Sequence, residues 1–139
     1  MRIEENPNLN TIDWTRVCEI FALVKWSKRI ESEIKSAFDK STFTCFAFDN
    51  DVIIGFGRTY DDGKYYATIC DVAIDPKYQG TGIGTEIMTS LKNRIKGYQI
   101  VTLTAAPGKE GFYEKLGWKK QKTAFINPKD EKQIEAFCE

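Results

Sequence analysis

Histidine is absent from the whole 139-residue chain. That absence excludes Ser-His-Asp and Cys-His catalytic machinery and removes histidine from any zinc ligand set. Proton transfer must fall to Asp, Glu, Tyr, Lys, Cys or water. Neither sign of charge is in excess: 20 basic and 20 acidic residues cancel, which leaves no electrostatic footprint for nucleic acid. Long apolar runs of membrane-spanning length are lacking, and the opening "MRIEENPNLN" has no signal-peptide core. These readings predict no nucleic-acid partner, no membrane partner and a cytoplasmic location. Repeats, low-complexity tracts and linkers are also lacking, so residues 1–139 are expected to form a single domain. Cys18, Cys45, Cys70 and Cys138 have neither metal-ligand nor disulfide-framework spacing. They read as buried free thiols in a reducing compartment.

What is present is periodic. "RIEEN" reads as a short first strand. Asp13 is a plausible N-cap for a helix over "WTRVCEIFALVKW", where Val17, Ile20, Phe21 and Val24 share a face. A second helix is expected in "RIESEIKSAFDK". Strands follow in "TFTCFAFD" and "VIIGFGRTY", and the Asp-Gly turn of "YDDGKY" leads back into "YYATICDVAI". Ile83, Ile87, Met88, Leu91 and Ile95 line one face of a third helix that Gly97 is placed to stop. "QIVTLTA" reads as a strand, "KEGFYEKL" as a short helix and "WKKQKTAFI" as a late strand. The expected fold is mixed α/β (α+β), with about four helices flanking the sheet.

The stretch "DVAIDPKYQGTGIG" (Asp71 to Gly84) concentrates Gly80, Gly82 and Gly84 between a strand and a helix. A dinucleotide fingerprint fails because Thr85 stands where its third glycine belongs. A P-loop fails because no lysine follows at the required place. What survives is a bare helix N-terminus whose unpaired N–H groups and dipole suit a phosphate or pyrophosphate. The bland reading is a tight turn whose glycines pack against the sheet.

Gln79-x-x-Gly82-x-Gly84 resembles the Q/R-x-x-G-x-G/A signature of the GNAT (Gcn5-related) N-acetyltransferases. "GFYEKLGW" (Gly111 to Trp118) resembles the second block of that superfamily. The resemblance implies the GNAT fold, a mostly antiparallel twisted sheet splayed between its fourth and fifth strands. It also implies acetyl-CoA as co-substrate, without a metal. The cofactor would lie against Val72, Ala73, Ile74, Gln79, Gly80, Thr81, Gly82, Ile83, Gly84, Thr85, Ala106, Phe112 and Tyr113. The run from "GFGR" through "DPKYQG" resembles the plant-type serotonin N-acetyltransferases and their bacterial relatives, and "KWSKR" (residues 25–29) resembles that group more weakly.

Acyl transfer to an amine needs a neutral amine, help for the developing oxyanion and a proton for the leaving thiolate. Tyr113 is the candidate acid, since a phenol of pKa about 10 lies close enough to a thiol near 8.5 to serve the leaving group. Asp71 is the candidate base, directly or through water, because a carboxylate in so apolar a strand needs a partner or a purpose. The competing reading is a structural Asp bonded to a backbone amide or to Arg58. Regular alternation would place Asp71 with Ile69 and Ala73, opposite Thr68 and Cys70, unless a bulge intervenes. Arg58, Tyr60 and Tyr66 are candidate lining for the acceptor pocket, or simply cross-strand packing. Asp61 and Asp62 read as hairpin-turn residues.

Ala106 departs from the superfamily, which commonly has Asn there, so one polar contact is missing or supplied elsewhere. The expected activity is acetylation of a small-molecule primary amine. The rivals are a lysine or N-terminal amine of a protein or peptide, a non-catalytic acyl-CoA sensor, and another nucleotide at the glycine turn. Oligomeric state is left open, a homodimer included.

Overall fold

The computed structural model describes residues 1–26 and 28–139. They divide into two compact units, Met1–Leu103 and Thr104–Glu139. In the first unit, β1 (Arg2–Glu5), β2 (Phe43–Asp49), β3 (Val52–Asp61) and β4 (Tyr66–Ile74) pair antiparallel in chain order, and β5 (Ile100–Leu103) adds parallel to β4. Tight turns are possible because Asn50 and Gly63 take left-handed conformations, with φ of 54° and 80°. Asp62 completes the second hairpin by accepting N–H bonds from Lys64, Tyr65 and Tyr66.

One face of the sheet is aromatic. Helices α1 (Trp14–Leu23) and α2 (Glu31–Asp39) lay Trp14, Phe21, Ile34 and Phe38 over Phe46 and Phe56. The Phe21 and Phe56 ring centroids are 5.1 Å apart, and those of Trp14 and Phe38 are 5.3 Å apart in an edge arrangement. Asp13 caps α1 as expected, accepting the Arg16 N–H at 3.1 Å. The helix stops at Leu23, short of Trp26, and Lys25 turns left-handed beyond it (φ 62°).

Helix α3 (Ile83–Arg94) covers the opposite face. Its approach depends on Gly55 and Gly57, whose missing side chains leave room for Ile87 and Leu91. A Cβ at Gly57 would stand 2.7 Å from Leu91 Cδ1 and 3.2 Å from Val72 Cγ2. Gly57→Ala is therefore expected to cost about 1–3 kcal/mol of overpacking, read as a lower urea midpoint at unchanged slope.

The second unit holds α4 (Glu110–Lys115) and α5 (Glu131–Phe137). The expected late strand over residues 118–126 does not form. A strand exists only where a neighbour meets its N–H and C=O groups; among the described residues no strand ladder includes this Lys-rich segment, the Trp118 N–H turns back to the Tyr113 carbonyl at 3.1 Å, and Phe125 is 97% exposed. Helix α5 is not among the elements expected from periodicity, although Asp130 and Gln133 carry its signal. Asp130 accepts the Gln133 N–H, and Gln133 Oε1 accepts the Lys129 N–H. The expectation of four buried thiols also needs correction: only Cys45 is buried, while Cys18, Cys70 and Cys138 are half-buried. Burial pushes the Cys45 thiol up to about 11, against a lowering hydrogen bond with Ser90.

Candidate active site

Strand β4 carries a defect at the position where a carboxylate was expected to matter. Phe56 pairs with Ala73 and Arg58 with Cys70, so Asp71 and Val72 together oppose Gly57. Asp71 takes φ 53°, a left-handed conformation that Asp tolerates better than most residues. The bulge overturns the regular alternation. Val72 turns to the α3 face beside Gly57, whereas Asp71 joins Cys70 and Ala73 on the aromatic face.

There the Asp71 carboxylate, 7% exposed, meets two guanidiniums. Arg58 Nε donates to Oδ2 at 2.7 Å, and Arg29 Nη1 donates to Oδ1 at 3.1 Å. Arg58 is buried and held on every side. It donates to the Tyr60 hydroxyl and, at 3.3 Å, to Ser41 Oγ, and its guanidinium lies over the Phe38 and Tyr60 rings. Burial alone would push the Arg58 pKa down; the Asp71 charge, with the bonds from Tyr60 and Asp71, carries it above its ordinary value. Arg29 stands over Phe21 and Trp26, 4.6 and 5.5 Å from their centroids. Burial also pushes the neighbouring Cys70 thiol up, although Arg58 opposes it. Sequence reasoning gave Arg29 no role. Its only signal was the weak likeness of "KWSKR", in which Ser27 lies outside the described residues.

The sheet parts just before the bulge. The last β4–β5 pair is Ile69 with Leu103, and β4 runs on to Ile74 without a β5 partner. Asp75 N–H donates to Ile54 O at 2.8 Å, so strand alternation turns the N–H and C=O of Ile74 toward the open side. Gln79 Nε2 takes up that carbonyl at 3.1 Å. Ala73 is buried in the aromatic core, and Ile74 packs Cδ1 over Gly55. The Asp-Pro turn is anchored by Asp75, which caps Lys77 N–H at 2.9 Å and pairs with Arg16 of α1. Burial raises the Asp75 pKa, but the Lys77 amide and Arg16 outweigh it and hold the carboxyl below the usual range.

The turn then opens onto α3. Gly80 and Gly82 have φ of 82° and 90°, and a Cβ on either would meet nothing within 4 Å. Gly82 caps the helix without a side chain, so the N–H groups of Ile83, Gly84 and Thr85 in the first turn have no intrahelical acceptor. Thr81 is fastened to the Tyr78 carbonyl at 2.6 Å, and Ile83 anchors the turn from below as a buried core residue. The Thr85 carbonyl serves Thr89 Oγ1. The bland reading, Gly82 or Gly84 packed against the sheet, does not describe Gly82, whose Cβ would meet nothing; close packing of that kind is found at Gly55 and Gly57.

Tyr60 and Tyr66 come together in a shallow hollow with Asp61, Asp62, Thr68 and Thr102. Arg58 does not line it. In the second unit, Phe112 and Tyr113 of α4 meet edge to face at 5.0 Å, and burial pushes the Tyr113 phenol above its ordinary 10.0. Ala106 contributes its carbonyl to the Lys109 N–H just before α4. Among the described residues, no group of three or more Cys, Asp or Glu side chains is placed to hold a metal ion, and no helix is long and apolar enough to cross a membrane.

Residues 16–128 match the family model for an acetyltransferase (GNAT) domain, and the chain belongs to that family. An uncharacterized ycf52-like N-acetyltransferase of Prochlorococcus marinus is 38% identical over 116 residues, covering 79% of this chain and 64% of the relative. The chloroplastic serotonin N-acetyltransferase 2 of Oryza sativa subsp. japonica is 32% identical over 106 residues, covering 72% of this chain and 53% of the relative. The chain thus spans less than two thirds of either relative's length. A solved probable acetyltransferase from meticillin-resistant Staphylococcus aureus shares the fold, with a TM-score of 0.77 at 22% identity over 91% of this chain and 100% of its own.

Proposed function

We propose that this protein transfers an acetyl group from acetyl-CoA to the primary amine of a small molecule, by direct attack in a ternary complex. The observation that carries the reading is the open glycine cap of α3, directly after the unpaired end of β4. The N–H groups of Ile83, Gly84 and Thr85, with the helix dipole behind them, suit a diphosphate. The Ile74 N–H on the parted edge suits an amide-bearing arm such as pantetheine. When bound, the thioester supplies an activated acyl carbon and a thiolate leaving group.

Asp71 takes the proton that the substrate ammonium must lose, and the Tyr113 hydroxyl gives a proton to the departing sulfur. Tyr60 and Tyr66 offer aromatic surface for the organic part of the amine. Cys70 is the thiol nearest Asp71 in sequence, and its raised pKa keeps it a poor nucleophile. That favours direct attack over a covalent acyl-enzyme.

Coenzyme A at a hundredfold excess over its Kd is expected to stabilise the protein by about 2.7 kcal/mol, seen as a thermal shift that ATP and NAD do not reproduce. Gly82→Val, which adds about 1–2 kcal/mol of left-handed strain and a side chain over the cap, should lose most of that shift. A thiol-release assay over a panel of amines tests turnover. Coenzyme binding with no release for any amine would sink the enzyme reading.

A further inference from the structure

The two arginines on Asp71 are unequal. Arg58 is 8% exposed and has four other contacts, to Ser41, Ala37, Tyr60 and Phe38, so it belongs to the fold. The Arg29 side chain is 34% exposed, comes from an irregular stretch before α2 and makes one bond to the carboxylate. Among the described residues, its guanidinium also stands over the faces of Phe21 and Trp26. A carboxylate oxygen beside two aromatic faces is the chemistry that binds an organic ammonium ion. We propose that Asp71 Oδ1, Phe21 and Trp26 form a cation subsite, filled by Arg29 in the free protein and by the ammonium group of an arylalkyl or alkyl amine during turnover.

The exchange conserves charge. Asp71 Oδ2 is matched by Arg58 and Oδ1 by Arg29, so a ligand that displaces Arg29 strips Oδ1 of its cationic donor unless it brings its own, and an incoming ammonium leaves the net charge of the site unchanged. The subsite lies past Ile69, where β4 has lost its β5 partner and the strand edge is free. An amine docked there places its ammonium N–H against Oδ1, the atom to which the proton must pass. Arg29 is thereby a selectivity device. A neutral ligand of the same shape cannot displace it, and a cationic one can. Because a ligand's apparent affinity falls with the fraction of protein whose site is vacated, removing Arg29 should strengthen amine binding.

This inference rests on the acetyltransferase reading for the identity of the ligand, and its test does not use turnover. Titration calorimetry of the full chain without acetyl donor would compare 2-phenylethylammonium with the neutral 2-phenylethanol. Arg29→Ala and Arg29→Gln are expected to bind the ammonium about tenfold more tightly than the unsubstituted protein. The alcohol should be unaffected, and Asp71→Asn added to Arg29→Ala should abolish the gain. A purely structural role for Arg29 would lower affinity or leave it unchanged. Equal or weaker ammonium binding, a gain shared by the alcohol, or no measurable binding by any variant would overturn the subsite. If the gain appears while the unsubstituted protein acetylates no amine, the subsite stands and the enzyme reading fails. If acetylation proceeds without the gain, the subsite alone fails.

Discussion

Tyr113→Phe is expected to slow acetyl transfer about 10²–10⁴-fold, the range in which a positioned general acid contributes. The coenzyme A thermal shift should persist, because the ring and its 5.0 Å contact with Phe112 remain. The pH dependence follows from the direction of the Tyr113 shift. Burial raises the phenol above 10.0, so the group stays protonated, and able to donate, throughout the neutral and mildly alkaline range. No falling limb from this residue should appear in the rate below about pH 10. Steady-state thiol release from pH 6 to 10 checks both points. A Tyr113→Phe enzyme with unimpaired kcat would remove the phenol from the mechanism.

The second large effect concerns stability. Asp71→Ala leaves the buried Arg58 guanidinium without its charge partner and places Ala in a left-handed conformation. Breaking a buried pair from one side costs about 3–5 kcal/mol. Much of a small domain's total stability is of that size. Asp71→Asn should cost clearly less, since Asn retains an acceptor oxygen and tolerates positive φ. Urea denaturation separates the two variants, and activity then adds a distinct reading. Asp71→Asn that folds but transfers acetyl poorly identifies the carboxylate as chemically engaged. An Asp71→Ala protein as stable as the parent would show that Arg58 needs no partner, against the geometry.

The elements most legible in the sequence were those with long, consistent periodicity. The α3 face of Ile83, Ile87, Met88 and Leu91 is buried as its spacing requires. The "GFG" of β3 was read as strand, yet its two glycines proved to be the seat of that helix. Alternation failed at Asp71 because a one-residue bulge reverses every later side chain, and nothing in "TICDVAI" marks where the extra residue sits. The late strand failed for a related reason. Strand formation is a pairing event, and local composition carries no information about the partner.

Of the candidate site, the glycine cap was visible because positive φ and a bare helix start select glycine directly. Arg29 was not. Its meaning depends on Asp71, 42 residues away in sequence, and on two rings from the end of α1 and the stretch beyond it.

The sequence alone therefore determined the order of elements from β1 to α4, the family and the glycine start of α3, since each rests on local spacing or a backbone conformation that few residues adopt. Only the tertiary structure decided which face Asp71 occupies and which cations surround it. Charge pairing depends on distance through space, and the β4 bulge sets that distance by turning one carboxylate toward two arginines from different segments.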